Sequence, residues 1–287
     1  MKNIIYSIYI ENKDSNLSEK HLFTKNQLEK HYDRLIDVKK KYADICNAEF
    51  VIYGDDDDYK EFKSKYKGYE FDLINLYKIY LWEKLGKKYN NVLYLDLDVV
   101  PNTNENFFDT FDMNKICVYA PNATIDIWSQ EDKERYKKGK INFSKVISHK
   151  DKYDMYVKAL CKKSMLAIDN KLDTDYLIAN TAILGANSNA ISKLKFTERL
   201  DSMIDVLNKS KKEKLFGEEV SKLFFANNEI FFHYLLDKDN IDWYNLPKEW
   251  HTYVMRKSDK ISKELKSAKM IHLINKKFEE LWTILWN

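Results

Sequence analysis

The chain has 287 residues, 44% hydrophobic and 32% charged, and a globular chain of that length buries roughly 75% of the surface its unfolded form exposes, which excludes a disordered tail. Only 6 glycines occur, where average usage gives about 20; they stand singly at Gly54, Gly68, Gly86, Gly139, Gly185 and Gly217, which excludes a Walker A loop and a GxGxxG dinucleotide fingerprint. Net charge is +3 and the positive charge is spread along the whole chain, so it argues neither for nor against a nucleic-acid surface.

Cys46, Cys117 and Cys161 are odd in number and far apart, so they form neither a disulfide framework nor a zinc knuckle, and a reducing, cytoplasmic setting is expected. Residues 1–11 lack the length and small-residue cleavage site of a signal peptide and read as a first strand. The most apolar region, Leu223 to Leu236, is interrupted by Asn227, Asn228, Glu229 and His233, short of the 18 apolar residues of a membrane span. A soluble protein is expected.

Asn3 to Ile10 has the β-branched and aromatic character of a strand. A long helix follows over about Thr24 to Cys46, with Leu28, Tyr32, Leu35 and Val38 or Lys39 at helical spacing. Phe50 to Tyr53 reads as a short strand and the acid run Asp55 to Asp58 as a solvated turn. Leu73 to Leu85 is a helix stopped at Gly86, and Asn91 to Val100 is a strand whose run Val92 to Leu95 is apolar enough for burial on both faces. Strand alternating with helix predicts a mostly parallel, doubly wound α/β sheet. Beyond a strand at Ile116 to Ala120, the charged stretch Asn122 to Lys171 reads as a helical insertion. Tyr176 to Gly185 is a strand, Ala190 to Lys209 and Glu218 to Leu236 are helices, and Lys269 to Ile274 is a last strand before an aromatic tail, Phe278 to Trp286. One domain over 1–287 is expected, with a nucleotide-binding half (1–121), a helical insertion (122–175), and an acceptor half with a C-terminal lid (176–287).

The sharpest chemical feature is Asp96-Leu97-Asp98 after the buried run. Residues two apart in a strand share a side, and ligand crevices of open α/β sheets lie at the carboxyl ends of strands. Two carboxylates held together repel each other unless a cation sits between them or one is protonated, and a divalent metal answers that problem. The bland alternative is a pair of polar residues closing a strand. At the far end, Lys269 to Lys277 delivers His272, then Lys276 and Lys277. An imidazole added to two carboxylates suits Mn²⁺ better than Mg²⁺, and the lysines can pair with phosphates. Taken singly, His272 reads as a core histidine and the lysines as a solvated face; the combination changes the reading.

In order along the chain, Lys78 in its helix, Val92 to Asp98, Asn180-Thr181-Ala182-Ile183-Leu184, Asn228-Glu229, Leu246-Pro247-Lys248-Glu249-Trp250 and Ile271-His272 resemble the GT-A glycosyltransferases, especially the glycogenin and bacterial galactosyltransferase-like, family-8-like group. The resemblance implies the GT-A fold and transfer of a sugar from a nucleotide-diphosphate sugar, expected to be a UDP-sugar, to a hydroxyl acceptor with retention. It implies Mn²⁺ (or Mg²⁺) on Asp96, Asp98 and His272, and a donor held by Tyr9, Lys78, Asp96, Asn180, Lys276 and Lys277. Asp98 and Glu229 take the catalytic roles, and Asn228 and Trp250 face the acceptor or sugar. Two departures stand out. Where the family has a glycine and a phosphate-binding lysine after the metal histidine, this chain has Asn275 and Phe278, so Lys276 and Lys277 substitute; and His251 stands where the family often has asparagine.

The acceptor is open between glycan, lipid, protein and modified nucleic acid. One rival is a nucleotidyltransferase, which would carry a glycine-rich signature near its first strand, whereas Tyr6 to Lys13 has no glycine. Another is a non-catalytic sugar- or partner-binding module, which retention of both aspartates with His272 argues against and failure to bind Mn²⁺ would favour. The tail residues Trp282, Leu285 and Trp286 fit either a peripheral membrane contact or packing on their own domain.

Overall fold

The computed structural model describes residues 2–11, 19–66, 70–120, 179–213, 227–254 and 265–286. The expected insertion at 122–171 and the first part of the helix expected from Glu218 lie outside them. The chain divides into two compact units, one of residues 1–119, 181–197 and 242–287, the other of 120–180 and 198–241.

In the first unit, β1 (Asn3–Ile8) pairs in parallel with β2 (Ala48–Tyr53) on one side and β3 (Asn91–Leu95) on the other. The next strand, β6 (Asn180–Asn187), reverses direction against β3, with Leu95 opposite Ile183, and β5 (Ile116–Tyr119) runs parallel to β7 (Trp243–Asn245). The six strands are ordered β2-β1-β3-β6-β5-β7. Val92 to Leu95 are at most 2% exposed, as the unbroken apolar run requires of a strand covered on both faces. Alternation divides the two covers: Tyr6 and Tyr94 pack with tilted rings on one face, where the Tyr6 hydroxyl donates to the Lys78 carbonyl of α3 (Glu70–Gly86). Ile5, Leu93 and Leu95 enter the opposite core with Tyr42 and Cys46 of α1 (Glu19–Ile45), Phe107 of the short α4 (Phe107–Thr110) and Trp250. The Phe107 ring lies so close to Gly185 that a Cβ there would fall 2.3 Å from it, which explains a glycine inside a strand.

Three elements differ from the sequence expectation, each for a local reason. The acid run is not a free turn: the Asp56 side chain accepts from Tyr59 N, so it caps α2 (Asp57–Lys65), whose first turn holds Asp57 and Asp58, where carboxylates suit the helix dipole. The single strand expected over Asn91 to Val100 is two, β3 and the short β4 (Val99–Pro101). The helix expected from Ala190 is split by Lys195, at φ 46°, into α5 (Ser188–Lys193) and α6 (Phe196–Glu213). Buried Glu83 of α3 accepts from the amides of Phe196 and Thr197, satisfying two of the donors that open α6. In the second unit, α7 (Asn227–Lys238) takes up the last part of the helix expected to Leu236.

A second sheet, β4-β9-β8, pairs β4 antiparallel with β9 (Met270–His272), and β9 in parallel with β8 (Thr252–Tyr253). The aromatic tail is a helix, α8 (Phe278–Trp286). Its Phe278, Leu281 and Trp282 are at most 6% exposed and pack with Leu35, Leu97, Val100 and Ile271. The Trp282 indole donates to His31 Nδ1 at 3.2 Å, and the Arg34 guanidinium lies over its ring. Large core aromatics cost about 3–5 kcal/mol to truncate. Trp282→Ala should lose about that much in denaturant unfolding, whereas a loss under about 0.5 kcal/mol, the size of an ordinary surface change, would show the tail to be dispensable.

Candidate metal centre

The centre is built where β3 stops. Val99 N donates to the Asp96 carbonyl at 2.9 Å, closing a tight turn over Asp96-Leu97-Asp98, while Asp96 N still donates to Ala182 of β6. The carboxylates therefore meet through a turn and not through strand alternation. Pairing of β4 with β9 sets Val99 opposite His272, and Leu273 N donates to the Asp98 carbonyl. One ligand atom from each of Asp96, Asp98 and His272 falls within 4.8 Å of the others. Two carboxylates and an imidazole can hold a divalent cation.

Charge compensation around the pair is dense. Lys276, itself at φ 56°, donates through Nζ to Asp98 Oδ2, and His272 Nε2 lies 3.3 Å from the same oxygen. Burial alone would raise the Asp98 carboxyl; the Lys276 ammonium and then His272 outweigh it and hold the group well below the usual carboxylate range. Asp96 Oδ1 accepts from the Tyr94 hydroxyl and lies 3.5 Å from Lys78 Nζ, whose side chain is buried. Burial, and then the Asp96 charge, push the Tyr94 phenol up well above its ordinary value, keeping it a donor.

Three neighbours escape the sequence expectations as site residues. Tyr94 stands two positions before Asp96, on the same side of the strand. His251, fully buried, places Nε2 at 3.1 Å from His272 Nδ1 and packs its ring on Tyr119 and Tyr253. If His272 offers Nε2 to a cation, its Nδ1 carries the proton and His251 accepts it, a partner of the kind that orients ligating imidazoles. Lys39 of α1, 0% exposed, donates to the carbonyls of Leu97 at 2.8 Å and Val99 at 2.7 Å. Burial lowers its amine to about 7, against the pull of the Asp98 and Asp96 charges.

The model of glycosyl transferase family 8 matches residues 2–278, a span that includes the whole of this cluster. The chain belongs to that family. It accordingly has the α/β GT-A fold, a central sheet flanked by helices. No curated protein matches it in sequence. Among solved structures, this family-8 chain is similar to a glycosyltransferase involved in the glycosylation of the major capsid of PBCV-1 (9% identity, 99% of this chain and 98% of the other, TM-score 0.46). Mouse xyloside xylosyltransferase 1 in its apo form is similar at 11% identity (94% and 97% covered, TM-score 0.49). The galactosyltransferase LgtC in complex with donor and acceptor sugar analogs gives 11% identity (99% and 94% covered, TM-score 0.40).

Of the residues expected at a family-8 site, Asp96, Asp98, His272, Lys78 and Lys276 are brought together. Lys277 instead directs Nζ toward Glu280 of α8, at 3.5 Å. Tyr9 packs its ring on Tyr32 of α1. Trp250 is buried, with its ring edge-on to Phe107 and Phe111. In the second unit, Asn180 Nδ2 donates to Glu229 Oε1 at 2.6 Å, and Asn228 beside Glu229 is buried. Among the described residues no helix is long and apolar enough to cross a membrane.

Because folding holds Asp98 below its unfolded value of 3.8, its stabilising contribution is complete above that pH and is lost as pH falls toward the folded value. The difference in unfolding free energy between the unaltered chain and Asp98→Asn should therefore shrink as pH drops below 3.8. A difference that stays constant across that range would contradict the charge balance described.

Proposed function

We propose that this chain moves a sugar from a nucleotide-diphosphate sugar, a UDP-sugar, to a hydroxyl acceptor with retention of configuration, using Mn²⁺ or Mg²⁺ held by Asp96, Asp98 and His272. The supporting observation is the convergence of those three ligand atoms within 4.8 Å. The mixed oxygen and nitrogen donor set fits the ion, Mn²⁺ better than Mg²⁺. When bound, a divalent cation supplies Lewis-acid stabilisation to diphosphate oxygens.

The chain's own residues do the rest. Cleaving the sugar–phosphate bond leaves a diphosphate with growing negative charge. Lys276 beside Asp98 and Lys78 beside Asp96 offer ammonium groups whose attraction strengthens as that charge develops, which lowers the barrier and not merely the binding energy. With no glycine-rich cradle of backbone amides, these lysines and the cation centre carry the anion. We assign Asn180 and Glu229, joined by their hydrogen bond, to the transferred sugar or acceptor, together with Asn228. The cysteine usage supports a cytoplasmic setting.

Uridine diphosphate should raise the melting temperature when Mn²⁺ is present and not in EDTA; at 100 times its dissociation constant a ligand stabilises by about 2.7 kcal/mol. Asp98→Asn should keep the fold but lose that metal-dependent stabilisation along with sugar transfer and donor hydrolysis. Equal stabilisation in EDTA, or full activity in Asp98→Asn, would overturn the proposal.

A further inference from the structure

Lys39 lies on the inward stripe of α1 among Leu35, Ile36, Tyr42 and Ala43, all buried and apolar. Lysine is almost never fully buried unless paired, and an apolar side chain on such a stripe would serve helix packing with no desolvation cost. What Lys39 contributes there is two hydrogen bonds to one short stretch of backbone, the carbonyls of Leu97 and Val99, which bracket Asp98.

Three further main-chain bonds hold the backbone of that stretch: Asp96 N to Ala182 O, Val99 N to Asp96 O, and Leu273 N to Asp98 O. These three bonds fix where the turn begins, that it closes, and where the last strand docks. None of them engages the two carbonyls on either side of Asp98.

We propose that Lys39 is a positioning residue of the metal centre: it grips the Leu97 and Val99 carbonyls from beneath and thereby sets the direction in which Asp96 and Asp98 present their carboxylates to a divalent cation. The proposal rests on the reading of Asp96, Asp98 and His272 as cation ligands. Lys39 touches no reacting atom. Its part is to hold the Leu97–Asp98 and Val99–Val100 peptide planes, and groups that orient metal ligands are worth about 10–100-fold in metal affinity.

The test titrates Mn²⁺ alone into the full chain and follows the free ion by electron paramagnetic resonance. Lys39→Met keeps length and apolar contact but cannot donate, and should weaken Mn²⁺ binding by about tenfold or more. Lys39→Gln keeps one amide donor, should bind with intermediate affinity, and carries the test if the methionine variant does not fold. Leu28→Ala, on the same helix and packed against the same core, should lower the melting temperature and leave Mn²⁺ affinity unchanged. Folded Lys39 variants that bind Mn²⁺ as tightly as the unaltered chain would overturn the role of Lys39 and leave the metal centre standing. The role of Lys39 falls equally if Leu28→Ala weakens binding as much as they do, since the loss would then track general stability. Failure of the unaltered chain to bind Mn²⁺ would overturn the metal centre itself, and the proposal with it.

Discussion

Two carboxylates two residues apart at the end of a buried strand repel each other, and the repulsion grows as water is excluded. Asp98 is only 7% exposed, so its charge is tolerable only with partners in place. The chain supplies them from other elements: Lys78 from α3 for Asp96, His272 from β9 for Asp98, and Lys276, 178 positions after Asp98, for Asp98 as well. The first unit is arranged around this compensation. β4 gives β9 an edge to pair with, and that pairing carries His272 to Asp98.

The same pairing ties the centre to the core. Val100 and Ile271, partners across β4 and β9, belong to the apolar cluster that receives Phe278, Leu281 and Trp282 of α8. Lys276 sits between that strand and that helix. Its position follows from both the docking of β9 and the burial of the tail, which couples the stability of the C-terminal segment to the electrostatics of the centre. For the proposed transfer, with a departing diphosphate, such fixed placement is an advantage, because cations held in place need no reorganisation as charge develops.

Much of this is readable from residue order. The apolar run Val92 to Leu95 announces a doubly covered strand, and three residues of two types in two distant segments announce a cation site. Other features depend on contacts that periodicity does not encode. That Asp96 and Asp98 meet through a turn follows from β6 and β9 bonding to the chain on either side, and no pattern near Asp98 records it. Lys39 falls on the helical stripe at a position where Val38 serves the pattern equally well, and a lysine there reads as a surface residue until its two carbonyl partners are in view. The contact of His251 with His272 is visible only once β8 lies beside β9. Lys276 and Lys277 are adjacent and identical in type; the left-handed backbone at Lys276 and the start of α8 at Phe278 send one to Asp98 and the other toward Glu280.

The account stands on Asp96, Asp98 and His272 forming one cation site. Its most direct test is an anomalous difference map from crystals of the chain grown with Mn²⁺, collected at a wavelength where manganese scatters anomalously. The account predicts a single strong peak in contact with one carboxylate oxygen from each aspartate and with His272 Nε2. A map without a peak there, or with manganese bound only elsewhere on the chain, would contradict it.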